Sequence, residues 1–303
     1  MLLNTYEPWK FAFSHEIEDI KENSFGIIGV PFDSTTSYHS GARLGPIVVR
    51  EASFGFEKYN TIFNKDLTTT FYDFGDVNVV PGNCEKTCTI VEDTVRELLN
   101  LDLKPIIIGG EHSASIGAIK ALSEKYDKLT VIHLDAHRDL AFKFVGEKYS
   151  HATVMRRVHE LGVDLVQIGI RSASGDEEEF VKSTYNIQTF KSKDVHKHMD
   201  AIEYYLTTIE GPIYISIDMD VMEPAIAPSV GNPTPGGLFI SEMETIIESL
   251  SHKDIVGLDV VETASDRLGD NTAVVAAKII YDFLTLKYLW LSILQYIILN
   301  NIT

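Results

Sequence analysis

Short apolar, β-rich runs alternate with stretches of helical periodicity along almost the whole chain, and this alternation restricts the fold more than any other feature. FGIIGV, TTTFYDFG, KPIIIGG, KLTVIHLD, DLVQIGI, IQTF, PIYISID and DIVGLDVVE read as strands. GPIVVREASFGFEKY, CTIVEDTVRELLNL, SASIGAIKALSEKY, ATVMRRVHELG, EEEFVKST, KDVHKHMDAIEYYLTTI, ISEMETIIESL and a long segment from about Thr272 read as helices. Continuous apolar strands separated by helices predict an α/β fold with a mostly parallel sheet covered on both faces. No repeat, low-complexity tract or linker interrupts the pattern, so residues 1–303 read as a single domain.

Sheets of this kind collect ligands beyond the carboxyl ends of their strands, and the chemistry-bearing residues of this chain follow strands. His112 comes after PIIIGG, Asp135, His137 and Asp139 close TVIHLDAHRD, Asp218 and Asp220 close IYISIDMD, and Glu262 closes IVGLDVVE. Side chains two apart in extended backbone share a face, so Asp135, His137 and Asp139 can converge, as can Asp218 and Asp220. Each piece alone has an ordinary reading: Asp-x-Asp is commonly a solvated loop, and a lone histidine a capping group. Their joint placement after strands is harder to explain that way.

Carboxylates packed so closely repel unless a cation compensates them. His112, Asp135, His137, Asp139, Asp218 and Asp220 are too many ligands for one zinc ion, and an oxygen-rich set favours manganese. Two bridged divalent ions lower the pKa of a shared water toward neutrality, which implies metal-assisted hydrolysis. Glu262 lies beyond the ligand set and could bind a planar, positive, nitrogen-rich group through paired hydrogen bonds, or else pair with a nearby arginine. His151, ahead of a predicted helix, is a candidate proton carrier.

Composition narrows the partners. With 26 basic and 44 acidic side chains the formal charge is −18, which disfavours nucleic acid and anionic membranes and favours a small cation. The only cysteines, Cys84 and Cys88, are expected as reduced thiols on one face of a helix capped by Asn83. The N-terminal stretch lacks a signal-peptide pattern, and a cytoplasmic protein is expected. The uncharged stretch YLWLSILQYIILNNIT, from Tyr288, falls short of the about 20 apolar residues a span needs and is expected as a buried terminal helix or a subunit contact with no membrane partner, a tail anchor being the disfavoured alternative.

Taken together, GGEHS, DAHRD, SHAT, SIDMDVMEPAIAPSVGNPTPGG and DVVE resemble the ureohydrolase superfamily of arginases and agmatinases, in order and spacing across nearly the whole chain. The resemblance implies a three-layer α/β/α sandwich around a parallel sheet of about eight strands, two Mn2+ per chain, and hydrolysis of a guanidinium group to urea and an amine. It assigns His112, Asp135, Asp139 and Asp218 to one ion and Asp135, His137, Asp218 and Asp220 to the other. Asp139 would also orient the attacking hydroxide, Glu262 would bind the guanidinium and His151 would shuttle protons. It further implies a homo-oligomer, a trimer or hexamer.

The loop LAFKFVGEKYSH lacks the asparagine expected where an α-carboxylate is bound, so agmatine, cleaved to putrescine in polyamine biosynthesis, is the first expectation. N1-aminopropylagmatine, arginine and guanidinobutyrate are the alternatives. Ala152, Asn232, Thr234, His39 and Ser40 depart from the common agmatinase pattern, and all are expected near the mouth of the site. A single-metal zinc deacetylase type is disfavoured by the paired Asp218 and Asp220. His133 and Arg138 are expected to turn away from the ions.

Overall fold

The structure is a computed structural model and describes residues 3–6, 9–18 and 20–287. In chain order its elements are β1 (Thr5–Tyr6), β2 (Ser24–Val30), α1 (Gly45–Ser53), β3 (Tyr59–Asn60), β4 (Lys65–Asp66), β5 (Phe71–Val77), α2 (Cys84–Asn100), β6 (Leu103–Gly109), α3 (Ala114–Lys125) and β7 (Thr130–Leu134). There follow α4 (Val154–His159), β8 (Asp164–Ile170), α5 (Gly175–Lys182), β9 (Ile187–Lys191), α6 (Ser192–Thr208), β10 (Ile213–Asp218), α7 (Ile240–Ser249), β11 (Ile255–Val261) and α8 (Asn271–Lys287).

The main sheet has the strand order β1-β5-β2-β6-β11-β10-β7-β8-β9. β1 runs antiparallel to β5, and the other eight strands are mutually parallel, as the apolar alternation requires. One face packs on α2, α3 and α4 through residues such as Val91, Ile119 and Val158. The other packs on α1, α6, α7 and α8 through Val49, Ile202, Ile246 and Ile279. Alternate residues of each buried strand feed one cluster or the other: Ile106 and Ile108 go to the second face and Ile107 to the first.

Two local expectations give way to tertiary context. α1 ends at Ser53 rather than running to Tyr59, because Tyr59 pairs with Asp66 in the β3–β4 ribbon. α6 bends at His198, whose φ is −139°. The expected cap does form: Asn83 accepts a hydrogen bond from the Lys86 amide at 3.0 Å, with Cys84 and Cys88 buried as free thiols on the helix it starts. No helix among the described residues is long and apolar enough to cross a membrane. The expectation for the stretch from Tyr288 lies outside the described residues.

One lateral row breaks the apolar character of the central strands. Asp259 on β11, Ser216 on β10, His133 on β7, Gln167 on β8 and Thr189 on β9 are successive register partners, so their side chains share the α2–α4 face. Asp259, Ser216, His133 and Gln167 are all fully buried. Buried polar groups persist only when they satisfy one another, and this row lies directly beneath the strand ends that carry the candidate site.

Candidate metal centre

The strand ends bring the sequence-predicted residues to one place. His112 Nδ1 lies 3.2 Å from Asp135 Oδ2, 3.0 Å from Asp139 Oδ2 and 3.3 Å from Asp218 Oδ2. Beside this group, His137 Nδ1 lies 2.9 Å from Asp220 Oδ2 and 3.5 Å from Asp135 Oδ1. Asp135 therefore turns one oxygen toward each half of the cluster. Backbone amides hold the carboxylates in place: His137 N donates to Asp135 Oδ1, Ala136 N to Asp220 Oδ1 and Asp220 N to Asp218 Oδ1 at 2.5, 3.1 and 2.8 Å.

The fit to metal can be tested at His112. Its Nε2 lies 2.9 Å from Ser216 Oγ, and Ser216 donates its own proton to Asp259 Oδ1 at 2.8 Å. The hydroxyl can then only accept from the ring, which puts a proton on Nε2 and makes Nδ1 the nitrogen available to a metal. That Nδ1 is buried and makes no hydrogen bond, though three carboxylate oxygens surround it. Burial opposes charging of this ring, but Asp135, Asp139 and Asp218 outweigh it and hold His112 well above its ordinary pKa, so without metal a proton fills the place between Nδ1 and these oxygens that a divalent ion would take. Ligands of one octahedrally coordinated ion also stand about 3 Å apart, as these do. The residues fit divalent metal.

The charge balance agrees. Burial, reinforced by the charges of Asp220 and Asp135, pushes Asp218 well above the ordinary carboxylate range. Burial and the charge of Asp135 push Asp139 up to about 7. Burial opposes charging of His137, but hydrogen bonds to Asp135 and Asp220 outweigh it and raise the ring to about 12. Protons here occupy the place that a divalent ion would take. Asp139 and Glu262 also adopt left-handed backbone, with φ of 53° and 64°, conformations that favour glycine and are tolerated where the surroundings impose them.

Glu262 borders the cluster. Its Oε1 accepts from the His112 amide at 2.8 Å, and its own amide donates to Gly110 O at 2.8 Å. Among the described residues no Lys or Arg lies within ion-pair distance, so the alternative of a paired structural glutamate is not what the structure shows. A Cβ at position 231 would stand 2.9 Å from Glu262 Oε2, so Gly231 leaves that oxygen room. Glu262, Asp139, Asp218 and Asp220 open on a cavity of about 420 Å³ that His137, His151, Phe144 and Glu177 also line.

His151 stands on the cavity wall. Its amide donates to Thr35 Oγ1 at 3.0 Å, and its Nδ1 is 3.3 Å from the same oxygen. Thr35 is anchored in turn on buried Glu111, which accepts from the Thr35 amide and hydroxyl at 2.6 Å each. Burial, helped by the positive charges of His112 and His137, lowers His151 to about 4. Phe144 packs edge-on against its ring at 5.1 Å. Sequence reasoning did not single out Thr35, Glu111, Ser216, Asp259 or Gln167. Glu111, Ser216 and Asp259 fall within quoted motifs, but nothing in a single sequence marks their contacts.

Of the residues expected at the mouth, Ala152, Asn232 and Thr234 line the cavity, whereas His39 and Ser40 do not. His39 stacks instead on Tyr38, with ring centroids 3.9 Å apart. His133 does not turn away: its Nε2 is 2.8 Å from Asp135 Oδ2. Arg138 is a buried, paired cation, held by Glu178 at 2.7 Å.

Residues 23–285 match the model of the arginase family. The chain belongs to the arginase family. It is 38% identical over 283 residues to the N(1)-aminopropylagmatine ureohydrolase of Thermococcus kodakarensis, covering 92% of this chain and 95% of the relative. It is 35% identical to an agmatinase of Pyrococcus horikoshii, covering 93% of this chain and 97% of that one. The agmatine ureohydrolase of Thermoplasma volcanium superposes with a TM-score of 0.83 at 33% identity, over 93% of this chain and 95% of the other. This arginase-family chain thus combines the family's fold with a cluster of histidines and aspartates at the strand ends.

Proposed function

We propose that the chain is an agmatinase-type ureohydrolase that releases urea from a guanidino compound, with agmatine, giving putrescine, as the first substrate. The observation that carries this reading is Glu262, a buried carboxylate without a cation that faces the cavity shared with Asp139, Asp218 and Asp220. A guanidinium supplies the missing charge and the paired N–H donors.

His112, Asp135, Asp139 and Asp218 would hold one divalent ion and Asp135, His137, Asp218 and Asp220 the other, with two Mn2+ per chain. When bound, such ions make water acidic enough to serve as a nucleophile near neutral pH. The chain's own groups do the rest. Glu262 Oε2 orients the guanidinium carbon over the cluster. The free oxygen of Asp139 accepts a hydrogen bond that aims the attacking water. His151, neutral because of its burial, would take up the proton that the attacking water gives up and deliver it to the leaving amine.

Cavity charge separates the candidate substrates. Among the described residues lining it, Arg138 is the one Arg or Lys, and it is already committed to Glu178. Glu177 adds a further acid to the wall. Arginine and guanidinobutyrate would bring a carboxylate into acidic surroundings with no free cation, whereas agmatine and N1-aminopropylagmatine bring only positive charge. The second reading is N1-aminopropylagmatine, favoured by the similarity to the Thermococcus kodakarensis enzyme of that name. A cytoplasmic homo-oligomer, a trimer or hexamer, completes the proposal. Urea release should be measured from all four compounds with Mn2+ added. Agmatine is expected to be cleaved fastest, and absence of urea from every one of them would refute the reading.

A further inference from the structure

Two polar residues of the HLDAHRDL stretch, His133 and Arg138, have no part in the reaction described above, yet both are buried. Their link is Gln167, the register partner of His133 on the neighbouring strand. Arg138 Nη1 lies 2.8 Å from one terminal atom of the Gln167 amide, and the Arg138 carbonyl oxygen lies 2.9 Å from the other. A guanidinium only donates and a carbonyl only accepts, so the first atom is the amide oxygen and the second the amide nitrogen. Arg138 thereby fixes the amide from both sides. Its guanidinium is held in place by Glu178 at 2.7 Å and by Thr189 Oγ1 at 3.1 Å.

The amide nitrogen then directs its other hydrogen to His133 Nδ1 at 3.1 Å. That nitrogen must accept, so the ring proton resides on Nε2, 2.8 Å from Asp135 Oδ2. Asp135 is therefore gripped at both oxygens: Oδ2 by the His133 ring and Oδ1 by the His137 amide at 2.5 Å. With the carboxylate plane fixed, Oδ2 faces His112 Nδ1 and Oδ1 faces His137 Nδ1. A carboxylate free to rotate would not divide its oxygens between the two halves of the cluster.

We infer that His133 is a positioning residue that holds Asp135 in its metal-bridging orientation, and that Arg138, acting through Gln167, sets the ring tautomer this requires. The inference rests on the metal-centre reading. Donors to metal-bound groups commonly change metal affinity by about 10–100-fold when removed, and that is the effect expected here.

The test is uptake of Mn2+ by the metal-free full chain, followed through the resonance of free Mn2+, with thermal unfolding in chelator recorded alongside. His133→Phe should weaken Mn2+ binding by about 10–100-fold while the metal-free protein unfolds at a temperature close to that of the wild type. His133→Gln, which restores an N–H donor, should recover much of the affinity, a rescue that simple space-filling does not predict. Nitrogen resonances of labelled histidine in the wild-type chain should show His133 protonated on Nε2, and this measurement needs no variant to fold. Two Mn2+ bound by wild type together with equal binding by His133→Phe would overturn the inference alone, as would a ring protonated on Nδ1. A wild-type chain that takes up no divalent ion would overturn the metal-centre reading and this inference with it.

Discussion

His112 Nε2 and the Ser216 hydroxyl stand 2.9 Å apart, and this contact decides which ring nitrogen faces the carboxylates. Because Ser216 spends its proton on Asp259, the imidazole must donate, and its Nδ1 is turned into the cluster. Ser216→Ala would orphan the Nε2 proton and release the ring. Mn2+ affinity is expected to fall by about 10–100-fold, read by metal titration, with far-ultraviolet circular dichroism unchanged. Unaltered affinity would remove the tautomer argument.

Asp220 supplies one face of the second half of the cluster, beside His137 at 2.9 Å. Asp220→Asn keeps the side-chain shape and the amide contact from Ala136 but loses the charge. Urea release should drop by at least the roughly 10–100-fold that loss of a mere supporting partner of a ligand costs, with the fold retained. Activity close to wild type would show that the two-ion assignment is wrong.

Glu262 offers the cavity a carboxylate oxygen with no cation on it. Glu262→Gln replaces a charge-assisted pair by a neutral one, a loss of about 1.5–3 kcal/mol, so kcat/KM should fall roughly 10–100-fold. Burial and nearby Glu111 hold the acid well above its ordinary pKa, so the variant should be no less stable than wild type in chelator. Steady-state kinetics and thermal melts check the two halves.

Gly231 gives Glu262 its space. In Gly231→Ala the new Cβ would approach Glu262 Oε2 to 2.9 Å and push the end of a flexible side chain aside. Agmatine KM should rise several-fold, with little change in melting temperature.

His151 predicts an acid-side loss of stability. Burial and the charges of His112 and His137 lower its pKa from 6.5 to about 4. Between those values the unfolded chain binds a proton that the folded ring refuses, so stability falls as pH drops through this window and levels off below about 4. The full effect is about 3 kcal/mol at most. Denaturant titrations of the metal-free protein at about pH 7 and about pH 4.5 should show a smaller acid loss for His151→Asn than for wild type. Equal losses would contradict the assignment.

Much of the fold is legible in the chain because its cause is local. Strands such as DLVQIGI are apolar at most positions because both faces are covered, and the observed β8 has those bounds. The failures are local as well: α1 stops early because Tyr59 is drawn into pairing with Asp66, a contact that helical periodicity cannot register. The candidate ligands were legible because a two-residue period at a strand end puts side chains on one side. Their supports were not. Ser216, Gln167 and Asp259 are ordinary polar residues whose meaning comes from register across strands distant in sequence.

By itself the sequence determined the layered architecture, the strand ends that carry the chemistry, and a surplus of carboxylates that calls for divalent cations. Periodicity, burial of apolar runs and charge act over short stretches, so they can be read residue by residue. Only the tertiary structure decided where the protons go. The partners of His112 and His133 on other strands choose the tautomer of each ring, and a hydrogen bond a few ångströms long between residues far apart in the chain leaves no mark on either one's local sequence.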